Sequence, residues 1–215
     1  MAGRRLLGNP YVWAAAVAVV ALPAMRPFLR HVPAPPSRES TLPSFKLLTQ
    51  DGRPFENRHL KGHVFVVSLL ATRCHAPCPD VTRAMRALQD RLDRHGAPVK
   101  LLSITFDPAD DTPARLRAYA SGHGADPGRW TFLTGEPAAV RRLLLEGFGA
   151  DPPGRGGDGA KSGVIDISHA GILFIVDGGG GIRGRYRPDA PGIDEVFHRS
   201  QHVLKQQRDH SPREG

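Results

Sequence analysis

The sequence contains two cysteines, and they lie close together in Cys74-His75-Ala76-Pro77-Cys78. Three intervening residues place them at i and i+4, about one helical turn apart, so that both sulfur atoms can face one metal ion or join in a disulfide. Two cysteines are too few to staple a small domain. The pair therefore predicts a metal site or a reversible dithiol, with the packing of two small apolar groups as the simpler alternative.

A third candidate ligand, His169, lies far along the chain, shortly before the apolar run 172–176. Two soft thiolates and one imidazole suit Cu(I), and with an added oxygen ligand they can hold Cu(II). The same three groups can also bind zinc. One histidine at the start of a strand is by itself more often a structural residue. The assignment therefore depends on a fold that brings His169 to the cysteines.

The cysteines are expected where a strand ends and a helix begins. Residues 64–70 form an apolar run typical of a buried strand, and residues 80–94 carry apolar side chains at helical spacing. This places the pair at the carboxyl edge of an α/β sheet, where such folds bind ligands. The N–H groups of the helix N-terminus are expected to favour thiolate over thiol. Asp107, at the end of the next strand (99–106), is a candidate for contact with a bound metal or its ligands.

Other polar residues have simpler interpretations. His75 could add a ligand, but a solvated loop residue is the simpler reading. His198 and His202 lie at i and i+4 on the last predicted helix, where a polar surface face is favoured over a metal pair. Asp111 precedes Thr112-Pro113, a helix start with a capping residue and proline at the first position, and is assigned to that start.

The remaining patterns continue the alternation of strands and helices. They predict a hairpin over 45–55, helices over 112–122, 137–148 and 193–208, and strands over 130–133, 170–176 and 182–186. This order predicts an α/β fold with a central, mostly parallel sheet flanked by helices. With a cysteine pair at the end of its first buried strand, it resembles the thioredoxin-like fold. Thioredoxins carry a cis-proline in the loop before the penultimate strand, which faces the cysteine loop. No proline occurs between Gly154 and Arg187, so His169 takes that place.

The first 25 residues are predicted to be a membrane anchor. Residues 6–25 carry no charge and are flanked by arginines, and about 20 helical residues span the roughly 30 Å of a bilayer core. The positive N-terminus predicts a single-pass helix in the inner (cytoplasmic) membrane with the remainder on the periplasmic or extracytoplasmic side. A cleaved signal peptide is the alternative.

The rest of the chain divides into three segments. Proline-rich residues 26–44 predict an extended linker, residues 45–208 a thioredoxin-like copper-binding domain, and residues 209–215 a flexible tail. The formal charge is +8, from 29 Lys and Arg against 21 Asp and Glu. Without long like-charge blocks or a nucleic-acid-binding motif, this charge favours anionic lipid or an acidic protein as a partner, and no nucleic acid.

Five motifs occur in an order typical of one family. They are Cys74-x-x-x-Cys78-Pro79-Asp80, Ser103-Ile104-Thr105-Phe106-Asp107-Pro108, Asp111-Thr112-Pro113, Trp130-Thr131-Phe132-Leu133-Thr134-Gly135, and Ser168-His169 with Phe174-Ile175-Val176-Asp177. Together they resemble the Sco/SenC family of thioredoxin-fold copper-binding proteins over roughly residues 45–208. The sequence departs from the family at His75-Ala76, where Pro-Asp is usual, and in a glycine-rich stretch at 152–159.

The resemblance implies a metallochaperone rather than an enzyme. One copper would be bound by Cys74, Cys78 and His169 and delivered to the binuclear copper site of cytochrome c oxidase subunit II or to another copper-accepting protein. Alternatively, the domain would maintain the thiols of the subunit II site. Two alternatives stay open from the residues alone. The chain could be a thiol:disulfide oxidoreductase for partner-protein cysteines, with Cys74 and Cys78 as its redox pair, or a copper or redox sensor.

Overall fold

The computed structural model describes residues 36–151, 165–166 and 171–210. Its strands are β1 Ser40–Thr41, β2 Lys46–Thr49, β3 Pro54–Glu56, β4 Val64–Leu70, β5 Val99–Thr105, β6 Trp130–Thr134, β7 Ala150–Asp151, β8 Ile165–Asp166, β9 Leu173–Val176 and β10 Gly181–Tyr186. Its helices are α1 Cys78–Arg94, α2 Pro113–Gly122, α3 Pro137–Arg142 and α4 Ala190–His210. A 3-10 turn, Asn57–Leu60, joins β3 to β4.

Eight of these strands form one mixed sheet in the order β1-β10-β9-β4-β5-β6-β2-β3. Only β4–β5 and β5–β6 are parallel, whereas the other five pairings in this sheet are antiparallel. The expectation of a mostly parallel sheet was therefore wrong for the described chain. The two hairpins, β2–β3 and β9–β10, account for the difference, because each attaches its strands antiparallel to the parallel centre.

Strand β4 lies at the centre of the sheet and is buried along its whole length. One face of the sheet packs on α1 and α4 through residues such as Val66, Met85 and Val203. The other face packs on α3 and its extension through residues such as Val67, Leu144 and Phe148. Burial on both faces explains why β4 reads as a continuous apolar run rather than an alternating one.

The helices differ from the expected ones at their ends. The helix predicted over 137–148 is α-helical only to Arg142 and continues as a π-helical turn, Leu143–Phe148, that ends at Gly149 with φ 62°. A left-handed residue of this kind commonly closes a helix, and glycine adopts it without a steric cost. Helix α4 begins at Ala190 and runs to His210, and the Asp189 side chain accepts a hydrogen bond from the Gly192 N–H (2.9 Å) near its start.

Part of the segment expected to be linker pairs with the sheet. Strand β1 pairs antiparallel with β10, and Leu42 is buried. The Arg38 guanidinium donates to Asp177, whose side chain is 3% exposed, and Arg183 donates to the same carboxylate at 3.1 Å. Burial alone would raise the pKa of Asp177, but hydrogen bonds from the Gly181 N–H and the two arginines lower it below its usual value.

Candidate functional site

The cysteines lie at the carboxyl edge of the sheet, as the sequence predicts. Strand β4 ends at Leu70, a short turn carries Cys74, and α1 begins at Cys78 itself. The turn is closed by a hydrogen bond from the Cys74 N–H to the Ala71 carbonyl at 3.1 Å. Pro79 occupies the first turn of α1, where its missing N–H leaves no intrahelical hydrogen bond unmade.

The two thiols are free, and their surroundings differ. Cys78 is 2% exposed, whereas Cys74 is half-buried and its thiol donates to the Ala76 carbonyl at 3.3 Å. Burial, and then a hydrogen bond with the Cys74 side chain, together raise the pKa of Cys78 to about 12, while the Ala71 backbone acts in the opposite direction. Desolvation at Cys78 therefore opposes the thiolate form that the helix N-terminus is expected to favour.

Asp111 is the carboxylate that the structure ties to the cysteine turn. It is fully buried and accepts hydrogen bonds from the Thr72 N–H at 3.1 Å and from the Thr72 hydroxyl at 2.5 Å. The Thr105 hydroxyl, at the end of β5, donates at 2.5 Å to the Asp111 oxygen that also accepts from the Thr72 N–H. Sequence reasoning assigned Asp111 only to a helix start. The neighbouring Thr72 and Thr105, each at a strand end, are the signal that could have pointed to this contact.

Asp107 lies at the same edge but has a different role in the described contacts. It is partly exposed, and its N–H donates to the Thr105 hydroxyl at 3.0 Å. Its carbonyl accepts from the Asp110 and Asp111 N–H groups at 3.2 and 2.9 Å. These contacts shape the turn before α2. A direct role for the Asp107 carboxylate near a metal stays a prediction.

Tyr119 is linked to Cys78 by two hydrogen bonds through Thr82. Tyr119 of α2 shares a 2.7 Å hydrogen bond with the Thr82 hydroxyl, which donates to the Cys78 carbonyl at 2.9 Å. Burial raises the pKa of Tyr119, although the Thr82 hydrogen bond lowers it and the nearby Cys78 and Cys74 raise it again. Helix α2 and the turn before it therefore have contacts on both sides of the cysteine pair.

His169 lies outside the described residues, so its place as third ligand stays a prediction. The described residue nearest to it in sequence, Gly171, packs tightly on the cysteine helix. A Cβ atom built on Gly171 would lie 2.5 Å from the Val81 side chain, 3.1 Å from Pro188 and 3.6 Å from Pro77. The start of β9 and the start of α1 therefore meet at the same edge. Within 36–151, 165–166 and 171–210, no group of three His, Cys, Asp or Glu residues could hold a metal.

A groove of about 770 Å³ runs beside the first turns of α1. Its floor is apolar, with Ala84, Ile172 and Ile193, and its rim carries Asp80, Arg83 and Arg187. Arg83 pairs with Asp80 on the same helix, and the Arg187 side chain is 88% exposed. The groove leaves one flank of the cysteine helix open to solvent.

The other histidines fit the simpler interpretations. His75 is exposed. His198 is 59% exposed and lies 3.7 Å from Asp194 on its own helix, with an Arg91 guanidinium nitrogen 3.4 Å away. A cation so close to His198 does not suit a metal pair with His202. As for membrane spans, the described helices include none that is long and apolar enough to cross a bilayer.

The fold and site define a thioredoxin-like domain with two cysteines, four residues apart, at the edge of its sheet. A model of the SCO1/SenC family matches residues 33–205, and the chain belongs to that family. The "SCO1 protein homolog" of Bacillus subtilis is 31% identical over 107 residues, which cover 49% of this chain and 55% of that protein. The matched part of this chain thus spans only about half the length of that relative.

Solved structures show the same fold. BsSco, described with a disulfide switch and as a member of the Sco family of cytochrome c oxidase assembly proteins, superposes with a TM-score of 0.68 at 23% identity and covers 80% of this chain and 98% of its own. Copper-bound ScoI of Bradyrhizobium japonicum gives a TM-score of 0.59 at 20% identity, covering 76% of this chain and 99% of its own. At these identities the structural likeness bears on the fold alone.

Proposed function

We propose that this chain is a copper chaperone that takes one copper as cargo through Cys74, Cys78 and His169. The proposal is carried by one observation. Two free cysteines, at the start of α1 and in the turn before it, lie at the ligand-binding edge of a SCO1/SenC-family domain. Copper in the ScoI structure of B. japonicum supports the choice of metal. The donor set also fits, because thiolates and imidazole are ligands that Cu(I) prefers.

The recipient follows from the family. We propose that the copper goes to the binuclear site of cytochrome c oxidase subunit II, or that the domain keeps the cysteines of that site reduced. The description of BsSco as a cytochrome c oxidase assembly protein supports this choice. The groove beside α1 leaves the cysteine helix accessible from one side, as transfer to a second protein requires.

Copper stoichiometry tests the ligand set. The purified full-length chain is expected to bind one copper, and Cys74→Ser, Cys78→Ser and His169→Ala are each expected to lose it. The matched control is His75→Ala, which removes an exposed imidazole beside the cysteines and should leave one copper bound. Tight copper retained by His169→Ala would remove His169 from the site. Absence of copper from the wild-type chain would contradict the chaperone function.

A second function is favoured by the unequal exposure of the thiols. In a thiol:disulfide oxidoreductase, the half-buried Cys74 would attack a partner disulfide as thiolate and release one partner thiol. Cys78 would then attack the Cys74 sulfur, releasing the second partner thiol and forming Cys74–Cys78. The partner gains two electrons and the domain loses two. Turnover of a disulfide substrate that survives His169→Ala would favour this function, or a redox sensor, over the chaperone.

We also propose that residues 1–25 anchor the chain in the inner membrane and that the domain lies on the periplasmic or extracytoplasmic side. The uncharged run 6–25 and the arginines before it support this arrangement. Protease added to intact spheroplasts should degrade the domain, and alkaline washing should leave the chain in the membrane fraction. Release by alkaline washing would instead indicate a cleaved signal peptide or peripheral association.

A further inference from the structure

Helix α2 and the turn before it contact the two cysteine-bearing segments separately. At its start, Asp111 accepts two hydrogen bonds from Thr72, two residues before Cys74. In the second turn of α2, Tyr119 shares a hydrogen bond with Thr82, whose hydroxyl donates to the carbonyl of Cys78. The turn that carries Cys74 and the helix that begins with Cys78 are therefore both connected to α2.

Burying the Asp111 carboxylate costs free energy, which indicates that its hydrogen bonds serve to position the residues that donate them. The carboxylate is fully buried, and the hydrogen bonds that the described residues donate to it come from the N–H and hydroxyl of Thr72 and the hydroxyl of Thr105. These donors are neutral. Burying a carboxylate with neutral donors costs free energy that hydrogen bonds offset only in part. An apolar residue would fill the site at a lower cost, but it would not link the cysteine turn to β5 and α2.

The separation of two thiols sets how readily they form a disulfide. A thiol held next to its partner reacts as if the partner were present at very high concentration, and this effective concentration falls when either segment gains freedom. Here the Cys74 side depends on the turn closed by the Cys74 N–H and the Ala71 carbonyl, directly beside the Thr72 contact. The Cys78 side depends on the first turns of α1.

We propose that α2 and the turn before it form a brace that fixes the separation of the Cys74 and Cys78 sulfur atoms, with Asp111 of the turn and Tyr119 of the helix as its two positioning residues. The brace stabilises the Cys74–Cys78 disulfide relative to the dithiol and so sets the redox poise of the pair. The importance of this equilibrium for the protein rests on the proposed function. The equilibrium between disulfide and dithiol can itself be measured without copper.

The test is the copper-free equilibrium of the full-length chain with glutathione, in which protein dithiol and one glutathione disulfide give protein disulfide and two glutathione molecules. Asp111→Ala and Tyr119→Phe are each expected to shift the equilibrium constant towards the dithiol by about tenfold, since each frees one cysteine segment. Asp111→Asn keeps an acceptor for Thr72 and should recover part of the shift. It also serves if Asp111→Ala does not fold.

The matched control is Asp177→Asn. Asp177 is as buried as Asp111 but follows β9, whose Val176 pairs with Phe65 near the start of β4, at the opposite end of the sheet from the cysteines. This variant should lower the free energy of unfolding and leave the glutathione equilibrium within about twofold of wild type.

Three results would overturn the inference. These are an equilibrium that is unchanged in Tyr119→Phe and also in Asp111→Ala (or in Asp111→Asn, if Asp111→Ala does not fold), an equal shift in Asp177→Asn, and a wild-type chain that forms no Cys74–Cys78 disulfide in oxidised glutathione. None of these is the result that would overturn the proposed function, which is the absence of bound copper from the wild-type chain. The two failures are therefore distinguishable.

Discussion

Single residues determine how closely the elements around the cysteine edge approach one another. Gly171 is the clearest case, because its Cα lies where a side chain would collide with Val81 and Pro188. At the opposite end of the sheet, the Asp177 carboxylate joins several segments, because it accepts hydrogen bonds from two arginines and two backbone N–H groups. A substitution at either residue is therefore expected to change the stability of the domain.

Gly171→Ala is expected to destabilise the domain by about 1–3 kcal/mol, because the added methyl group would lie 2.5 Å from the Val81 side chain. Chemical denaturation of the variant and the wild type measures this difference. The control is Gly122→Ala at the end of α2, where an added Cβ meets nothing within 4 Å. Equal stabilities for Gly171→Ala and wild type would show that α1 and β9 are not held this closely.

Asp177→Asn is expected to cost about 3 kcal/mol at pH 7, since it leaves the buried Arg183 without its charged partner. The folded pKa of Asp177 is lowered, so its contribution is present above the pKa of an unfolded aspartate, about 3.9. It is lost as the pH falls through the folded pKa. Denaturation curves at pH 7 and pH 3 should therefore show a smaller difference between variant and wild type at pH 3.

The control for this pH dependence is Asp51→Asn. Asp51 pairs with Arg117 at the surface, where the side chains are 47% and 58% exposed. Such an exposed pair is expected to contribute under about 1 kcal/mol. A cost for Asp177→Asn that did not change between the two pH values would mean that the charge of Asp177 is not what stabilises the fold.

At the scale of elements, a series of hydrogen-bonded side chains crosses the central strands. The Trp130 indole N–H of β6 donates to the Ser103 hydroxyl of β5 at 2.9 Å, and Ser103 shares a 2.7 Å hydrogen bond with Ser68 of β4. All three residues are buried. Three neighbouring strands are therefore linked by side chains in addition to their backbone hydrogen bonds.

Ser103→Ala is expected to cost about 1–3 kcal/mol, because it leaves the buried Trp130 N–H and the Ser68 hydroxyl without this partner. The measurement is the free energy of unfolding in a double-mutant cycle with Trp130→Phe. The cost of Ser103→Ala should fall by about 1 kcal/mol when the indole N–H is already absent. An unchanged cost in the Trp130→Phe background would mean that the hydrogen bond between Trp130 and Ser103 does not couple β5 to β6.

Elements with a local signal were predictable from the sequence. Strand β4 is an example, because its seven buried residues form an uninterrupted apolar run, and so is the β2–β3 hairpin with Gly52 at φ 74° in its turn. The direction of β9 against β4 was not predictable in the same way, because an apolar strand reads alike in either direction. The π-helical turn after α3 also has no local pattern that distinguishes it from a continued α-helix.

The site was predictable to the extent that it lies in one short segment. The cysteine spacing and the strand before it place the pair at the sheet edge, and the structure confirms that location. The role of Asp111 was missed because it depends on burial and on Thr72, thirty-nine residues away. The raised pKa of Cys78 was missed for the same reason, since desolvation follows from packing rather than from the helix start.

At the scale of the whole molecule, the sheet depends on chain that lies before residue 45. Strand β1 pairs with β10, the Arg38 side chain reaches Asp177, and Leu42 is 7% exposed. The sequence assigned these residues to a proline-rich linker. These contacts are therefore expected to contribute to the free energy of unfolding of the domain.

A domain that begins at residue 45 is expected to be less stable than one that begins at residue 36 by at least about 2 kcal/mol, mainly because the burial of Leu42 is lost. Thermal melts of the two proteins, with Arg38→Ala in the longer one, separate the apolar and ionic parts. Arg38→Ala alone should lower the melting temperature less than the truncation. Coincident melts for the two lengths would show that residues 36–44 act only as a spacer.

The outer strands of the eight-stranded sheet carry one more consequence. Strand β1 is two residues long and β3 is three, with Pro54 at its start. Long exposed edge strands are templates for pairing with another chain and hence for aggregation, and short or proline-interrupted edges suppress it. The described sheet therefore offers little backbone for strand addition by a second polypeptide. If the domain exchanges copper or electrons with a second protein as proposed, we expect the contact to be made by side chains and loops, which can release the partner afterwards.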